Sequence, residues 1–244
     1  MYAIFSFLLG AVIGSFLNVV IYRLPLTVSG ERISLSYPAS GCPHCGAAIR
    51  WRHNLPLLGW LLLAGRCADC RRPISWRYPL VELLTALLFV LLLQRYGLTP
   101  QGGFMLTAAC LLVALAGIDL RTMLLPDRLT LPLWVIGVCA AFSGSGRVNG
   151  VEALTASTLG FALPWLLDRL FYLWRRQPGM GMGDMKLFAA LGAWFGVATL
   201  WHIMAISPLL AMLSALLLLR IKPGEPFPFG PYPIAAALAL MVWG

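Results

Sequence analysis

Apolar residues fall into eight runs along the chain, at residues 2–21, 79–94, 104–118, 129–143, 153–173, 185–200, 203–219 and 231–243. Several are shorter than the roughly 20 residues that a straight membrane-spanning helix needs, so the pattern predicts helices with soft ends. The Gly- and Ala-containing run at 185–200 predicts a partial or tilted helix. Residues 26–78 are the one polar section long enough for a domain. The expected fold class is therefore an all-α polytopic membrane protein of about eight transmembrane helices, with a small cytoplasmic domain between helices 1 and 2. Three parts follow: a first transmembrane helix at 1–25, the polar domain at 26–78 and a helical bundle at 79–244.

Composition agrees with this pattern: 60% of residues are hydrophobic, 11% are charged and the mean hydropathy is +0.83, far from the soluble range. The net charge of +9 would suit a nucleic-acid binder, but its placement explains it otherwise. If eight spans alternate, 16 of the 18 Lys and Arg residues fall on one side and only Arg95 and Arg147 on the other. That asymmetry puts the basic side in the cytoplasm and both termini outside, and it leaves no reason to invoke nucleic acid. The first run lacks the basic start and small-residue cleavage site of a signal peptide, so it is expected to persist as a helix.

Within the polar section stand Cys42-Pro43-His44-Cys45 and Cys67-Ala68-Asp69-Cys70, separated by 21 residues. Two such pairs can complete a closed tetrahedral zinc site, and a segment this small lacks a hydrophobic core of its own. A cytoplasmic location disfavours disulfides. Four ligands leave no open position, so the expected Zn2+ is structural and His44 is a bystander. Polar groups next to the membrane are the other outliers. Asn18 sits at the cytoplasmic end of the first run, where it suits an interhelical hydrogen bond or a polar ligand. Glu82 enters the second run early and is expected to pair with an Arg or line a polar pocket.

Asp119 closes the third run, and Asp184 lies in Gly179-Met180-Gly181-Met182-Gly183-Asp184-Met185-Lys186, a glycine-rich stretch where another backbone can approach closely. Asp127, after Pro126, suits a helix N-terminus. Asp168 beside Arg169 reads as half of an interfacial ion pair. Asp119 has no comparable structural duty, and alternate spans could bring it to Asp184 on the same face. Two aspartates sharing a site supply a base and an acid together: one takes a proton from water attacking a peptide carbonyl, the other donates to the carbonyl oxygen and later to the leaving amine. No HExxH, GxSxG or Walker motif offers another chemistry.

These residues together resemble the type IV prepilin peptidases, GxGD-type membrane aspartic proteases. The resemblance spans Gly14-Ser15-Phe16-Leu17-Asn18-Val19-Val20-Ile21-Tyr22-Arg23-Leu24-Pro25, both cysteine pairs, Arg77-Tyr78-Pro79 with Glu82, the 119–132 stretch, and Gly181-Met182-Gly183-Asp184. Leu57-Leu58-Gly59-Trp60 departs from the family's usual Ser-containing pattern. The resemblance implies Asp119 and Asp184 as catalytic pair, with Asp127 the non-catalytic aspartate. It implies cleavage of type IV prepilins or type II secretion pseudopilins after the glycine closing the leader. It also implies methylation of the new N-terminus by S-adenosylmethionine, in the inner membrane of a bacterium with the active site facing the cytoplasm.

No dinucleotide-type glycine fingerprint marks the methyl-donor site. Asn18, Arg23, Gly65, Tyr78 and Glu82 are the candidates to line it, being polar or permissive and near the junction of domain and membrane. Glu82 is also the candidate to accept the amine proton. Other readings are a peptidase without methyltransferase activity, against which Cys42, Cys45, Cys67 and Cys70 argue; a transporter, whose charges should lie near mid-span; and a zinc-anchored scaffold, which would tolerate loss of either aspartate.

Overall fold

Two helices of the N-terminal part touch almost backbone to backbone. The computed structural model describes residues 2–28, 34–37, 40–177, 179–216 and 227–244; Arg32, Arg220 and Lys222, counted among the cytoplasmic charges, lie outside them. The described residues divide into two compact units, Met1–Gly97 and Leu98–Gly244.

In the first unit, α1 (Tyr2–Val28) packs on α3 (Arg77–Tyr96). A Cβ built on Gly10 would lie 2.7 Å from the Ala86 Cα, and one on Gly14 would lie 2.7 Å from the Glu82 Cα. In lipid there is little hydrophobic drive between helices, so close van der Waals approach through small residues takes its place. The far side of α1 presents Phe5, Leu8, Val12 and Phe16, all exposed and suited to lipid. Between the helices the described residues form no strand, only two isolated β-bridges, a 3-10 turn at Trp51–Asn54 and the short α2 (Leu58–Leu62). Polarity along the sequence changes near residue 78, whereas the compact unit continues to Gly97, because α3 belongs with α1.

The second unit holds α4 (Pro100–Thr122), α5 (Asp127–Phe142), α6 (Gly150–Arg175), α7 (Met182–Ser214) and α8 (Pro231–Trp243). Local chemistry sets the starts: the Thr99 hydroxyl accepts from the Gly102 amide at 3.1 Å, with Pro100 in the first turn, and the Asn149 side chain accepts from the Glu152 amide at 2.9 Å. Helices α6 and α7 cross closely, since a Cβ on Gly192 would lie 2.6 Å from the Ala156 carbonyl carbon.

One residue inside α7 is not helical. Gly196 adopts φ 73° and ψ 177°, a conformation only glycine takes readily, and the chain reverses there. Arg147 lies over the Phe195 ring and donates to the Leu240 carbonyl near the end of α8, whereas the Ser214 hydroxyl meets the Tyr232 hydroxyl near the start of α8. Residues 182–195 and 197–214 thus run in opposite directions, and α7 supplies two of the eight segments. The sequence places this break at 200–203. The turn falls earlier because the apolar run continues unbroken through Gly196. Among the described residues five helices are long and apolar enough to cross a membrane, and α8 is a shorter apolar one. The fold is thus the all-α, multi-pass architecture of about eight segments.

Candidate active site and metal centre

The end of α4, the turn before α8 and the start of α7 meet around one buried carboxylate. Asp119 is 4% exposed and its Oδ2 accepts from the Gly230 amide at 2.9 Å. Asp184, in the first turn of α7, is close enough for its carboxylate to feel the Asp119 charge. Glycines permit this assembly: a Cβ on Gly230 would fall 3.0 Å from Asp119 Oδ2, and one on Gly183 would fall 2.9 Å from the Leu125 Cβ. Leu125, in the loop after α4, therefore fills the space between the two helix starts.

Two further aspartates hold the surrounding loops. Lys186 donates to both oxygens of Asp127, at 2.7 and 2.8 Å, tying the start of α7 to the start of α5. Asp127 is the first residue of α5, preceded by Pro126 as N-cap. Asp168 Oδ1 accepts from the amides of Gly179 and Met180, at 2.7 and 3.0 Å. Its described hydrogen bonds therefore go to the glycine stretch rather than, as the sequence suggested, to its neighbour Arg169. Two converging amides satisfy a carboxylate with less entropy lost than a second flexible side chain requires.

In the first unit the four sulfurs of Cys42, Cys45, Cys67 and Cys70 lie within 4.8 Å of one another. The Cys42 and Cys70 Sγ atoms are 3.8 Å apart; a tetrahedron with Zn–S bonds of about 2.3 Å has edges of about 3.8 Å. The donor set fits Zn2+. Both halves are built alike. Cys42 donates its amide to Ala47 and Cys67 to Arg72, each at 2.9 Å, while bridges pair Gly41 with Ala48 and Arg66 with Pro73. Amides of His44 and then Cys45, directed at the Cys42 sulfur, pull its thiol down to about 6, whereas at Cys45 the lowering effect of the Ala47 amide is outweighed by burial and the neighbouring sulfurs, which push it up to about 11; Cys42 is thus the sulfur that first offers the thiolate a metal requires. His44 Nδ1 instead lies 3.2 Å from Arg72 Nη1. The repeat is readable in the sequence: Cys-x-x-Cys-x-x-x-Ile-x-Trp-Arg begins at Cys42 and again at Cys67, a self-similarity that inspection of the cysteines alone passes over.

A cavity of about 690 Å³ lies in this unit, bounded by α1, α3 and the cysteine knuckles. Asn18, Arg23, Tyr78 and Glu82 line it, with Trp60 and Tyr22 adding aromatic surface. Gly65 is not among the lining residues. It takes φ +67°, and a Cβ there would lie 2.8 Å from the Trp60 ring, so its need for glycine comes from packing. Asn18 donates to the Tyr78 carbonyl at 3.0 Å, which joins α1 to α3, and Arg23 donates to the carbonyls of Ser34 and Leu35 at 3.1 and 3.3 Å. Glu82 meets a backbone amide, that of Leu57 at 2.7 Å.

A model of the bacterial peptidase A24 N-terminal domain matches residues 8–96, and one of the type IV leader peptidase family matches residues 106–218. The prepilin leader peptidase/N-methyltransferase of Aeromonas hydrophila is 41% identical over 98% of this chain and 89% of its own length. That of Neisseria gonorrhoeae is 41% identical over 91% and 84%, and that of Klebsiella pneumoniae 46% over 86% and 91%. The chain belongs to the type IV leader peptidase family. No solved structure matches it. The two family models fall one on each compact unit, so the cysteine cluster and cavity lie in the stretch matched by the N-terminal domain, and Asp119 and Asp184 in the stretch matched by the leader peptidase model.

Proposed function

We propose that the second unit cleaves the leaders of type IV prepilins or pseudopilins at the cytoplasmic face of the bacterial inner membrane, and that the first unit N-methylates the residue so exposed. The observation that carries the reading is the buried Asp119 held by the Gly230 amide, with the start of α7 that bears Asp184 packed on the same Leu125 as Gly230, in a chain 41% identical to named prepilin leader peptidase/N-methyltransferases. One carboxylate takes a proton from water as its oxygen attacks the carbonyl carbon of the leader's closing glycine, and the other donates to the carbonyl oxygen. As the C–N bond breaks, the first passes its proton to the departing amine and a hydroxyl of the collapsing diol returns a proton to the second. A substrate helix held in the bilayer makes the attack effectively intramolecular.

Zn2+ held by Cys42, Cys45, Cys67 and Cys70 has a structural role in this reading. S-adenosylmethionine, when bound, supplies an electrophilic methyl group. The cavity volume falls in the range of small-ligand sites, and Arg23, Asn18 and Tyr78 are the residues that would hold the donor; Gly65 would act by shaping Trp60 beside it, and Glu82 by the wall it borders.

The test co-expresses a prepilin with wild type, Asp119→Asn or Asp184→Asn and reads product mass. Wild type should remove the leader and add one methyl group, and each variant should lose cleavage by at least about 100-fold. Each should still methylate a pre-cleaved pilin. Cleavage surviving in both variants would overturn the dyad.

A further inference from the structure

One residue in the wall of the first unit's cavity is held in a backbone conformation that leucine resists. Leu57 has φ 59° and ψ −51°, and the Leu58 amide donates to the Pro56 carbonyl at 2.6 Å. Residues 56–58 therefore form a γ-turn of the strained, positive-φ kind. Such a conformation costs roughly 1–3 kcal/mol and persists only where its surroundings impose it. What imposes it here is Glu82: the Leu57 amide donates to Glu82 Oε2 at 2.7 Å, and Glu82 is 8% exposed.

Leu58, Leu61 and Leu62 of α2 are 57%, 63% and 72% exposed, so side-chain packing contributes little to the position of that helix, whose buried contact is Gly59 against the His53 backbone. Its side-chain hydrogen bonds are Leu57 to Glu82 at one end and Trp60 to the second cysteine knuckle, where the indole Nε1 donates to the Ile74 carbonyl at 3.3 Å. Pro56, Gly59 and Trp60 all line the cavity, as do Ser15 and Glu82. The position of one wall thus depends on one carboxylate on α3.

We propose that Glu82 is a positioning residue for methyl transfer: it clamps the Leu57 turn and so sets the wall of the cavity, acting through the backbone rather than as a base on the substrate amine. This rests on the reading of the cavity as the methyl-donor site. A clamp needs an acceptor oxygen, which glutamine retains; a base needs the carboxylate. A clamp also becomes dispensable if the turn loses its strain, which Leu57→Gly achieves because glycine takes positive φ freely.

The experiment uses the full chain in detergent and measures methyl transfer from labelled S-adenosylmethionine to a pre-cleaved pilin, with leader cleavage on the same sample as the control for folding. Glu82→Ala should raise KM for S-adenosylmethionine about tenfold with a smaller change in kcat, the scale of a lost hydrogen bond to a charged group. Glu82→Gln should lose less than about threefold, and Leu57→Gly placed in the Glu82→Ala background should recover most of the loss. Photolabelling with an S-adenosylmethionine analogue maps the donor site independently. Label in the cavity, with Gln as damaging as Ala and no recovery from Leu57→Gly, overturns the clamp alone. Label outside the first unit overturns the cavity reading and the clamp with it.

Discussion

Between residues 40 and 76 only Gly59 and Gly65 are buried, whereas around the aspartates Leu187, Phe188, Leu191 and Ile118 are at most 2% exposed. The first unit thus presents a polar insertion without a core, organised by four thiols and a few hydrogen bonds. The second presents a packed helical body whose loops are fixed by carboxylates. The same length of chain could not stabilise itself in the first unit by burial, so in the proposed reading Zn2+ held by the four cysteines would substitute there for packing. The contrast teaches that the two proposed activities should fail for different physical reasons.

Removing the metal tests this with the largest expected effect. Structural Zn2+ binding is worth about 10–16 kcal/mol in small domains, more than any single contact in the insertion. Chelation, or Cys67→Ser with Cys70→Ser, should reduce methylation of a pre-cleaved pilin to background and expose residues 40–76 to protease. Leader cleavage on the same sample should continue. Parallel loss of both activities would show that the metal supports the second unit as well, and the contrast would dissolve.

A smaller effect is expected at Asp168, where one carboxylate oxygen gathers the amides of Gly179 and Met180 just ahead of Asp184. Hydrogen bonds to a charged group are worth about 1.5–3 kcal/mol, so Asp168→Ala should lower kcat for leader cleavage by about tenfold and leave methylation unchanged. Asp168→Asn keeps an oxygen for the amides and should fall between. Wild-type cleavage by Asp168→Ala would mean that the glycine stretch needs no such support.

Much of this division is legible in the sequence. The eight apolar runs, the two cysteine pairs, and Asp119 and Asp184 at the ends of apolar runs all announce themselves by composition and spacing. The reversal at Gly196 does not, because hydropathy cannot register a single φ within an apolar run. Asp168 misleads for a different reason: its sequence neighbour is a cation, but its partners are backbone amides 11 and 12 residues away, and amides carry no sequence signature. The Leu57–Glu82 contact spans 25 positions and is equally silent, since any residue but proline could donate that amide. The 25-position repeat of the cysteine knuckles was readable by comparing the chain with itself.

The smallest effect belongs to the ion pair of Lys186 and Asp127, which resembles the Asp168 contact on paper but differs in what it restrains. Its two side chains are 32% and 53% exposed, so water and salt screen it, and each loses rotamer freedom in forming it. Exposed pairs of this kind contribute about 0.2–1 kcal/mol, equivalent to no more than about a fivefold change in rate. Lys186→Met should therefore reduce leader cleavage by less than fivefold, and raising salt should reduce wild-type cleavage only to the level of that variant. Asp127→Asn should behave like Lys186→Met, and combining the two should cost no more than either alone. A loss from Lys186→Met as large as that from Asp168→Ala would mean that this pair, too, fixes the backbone on which Asp184 stands, and that charge rather than amide geometry holds the second unit's site together.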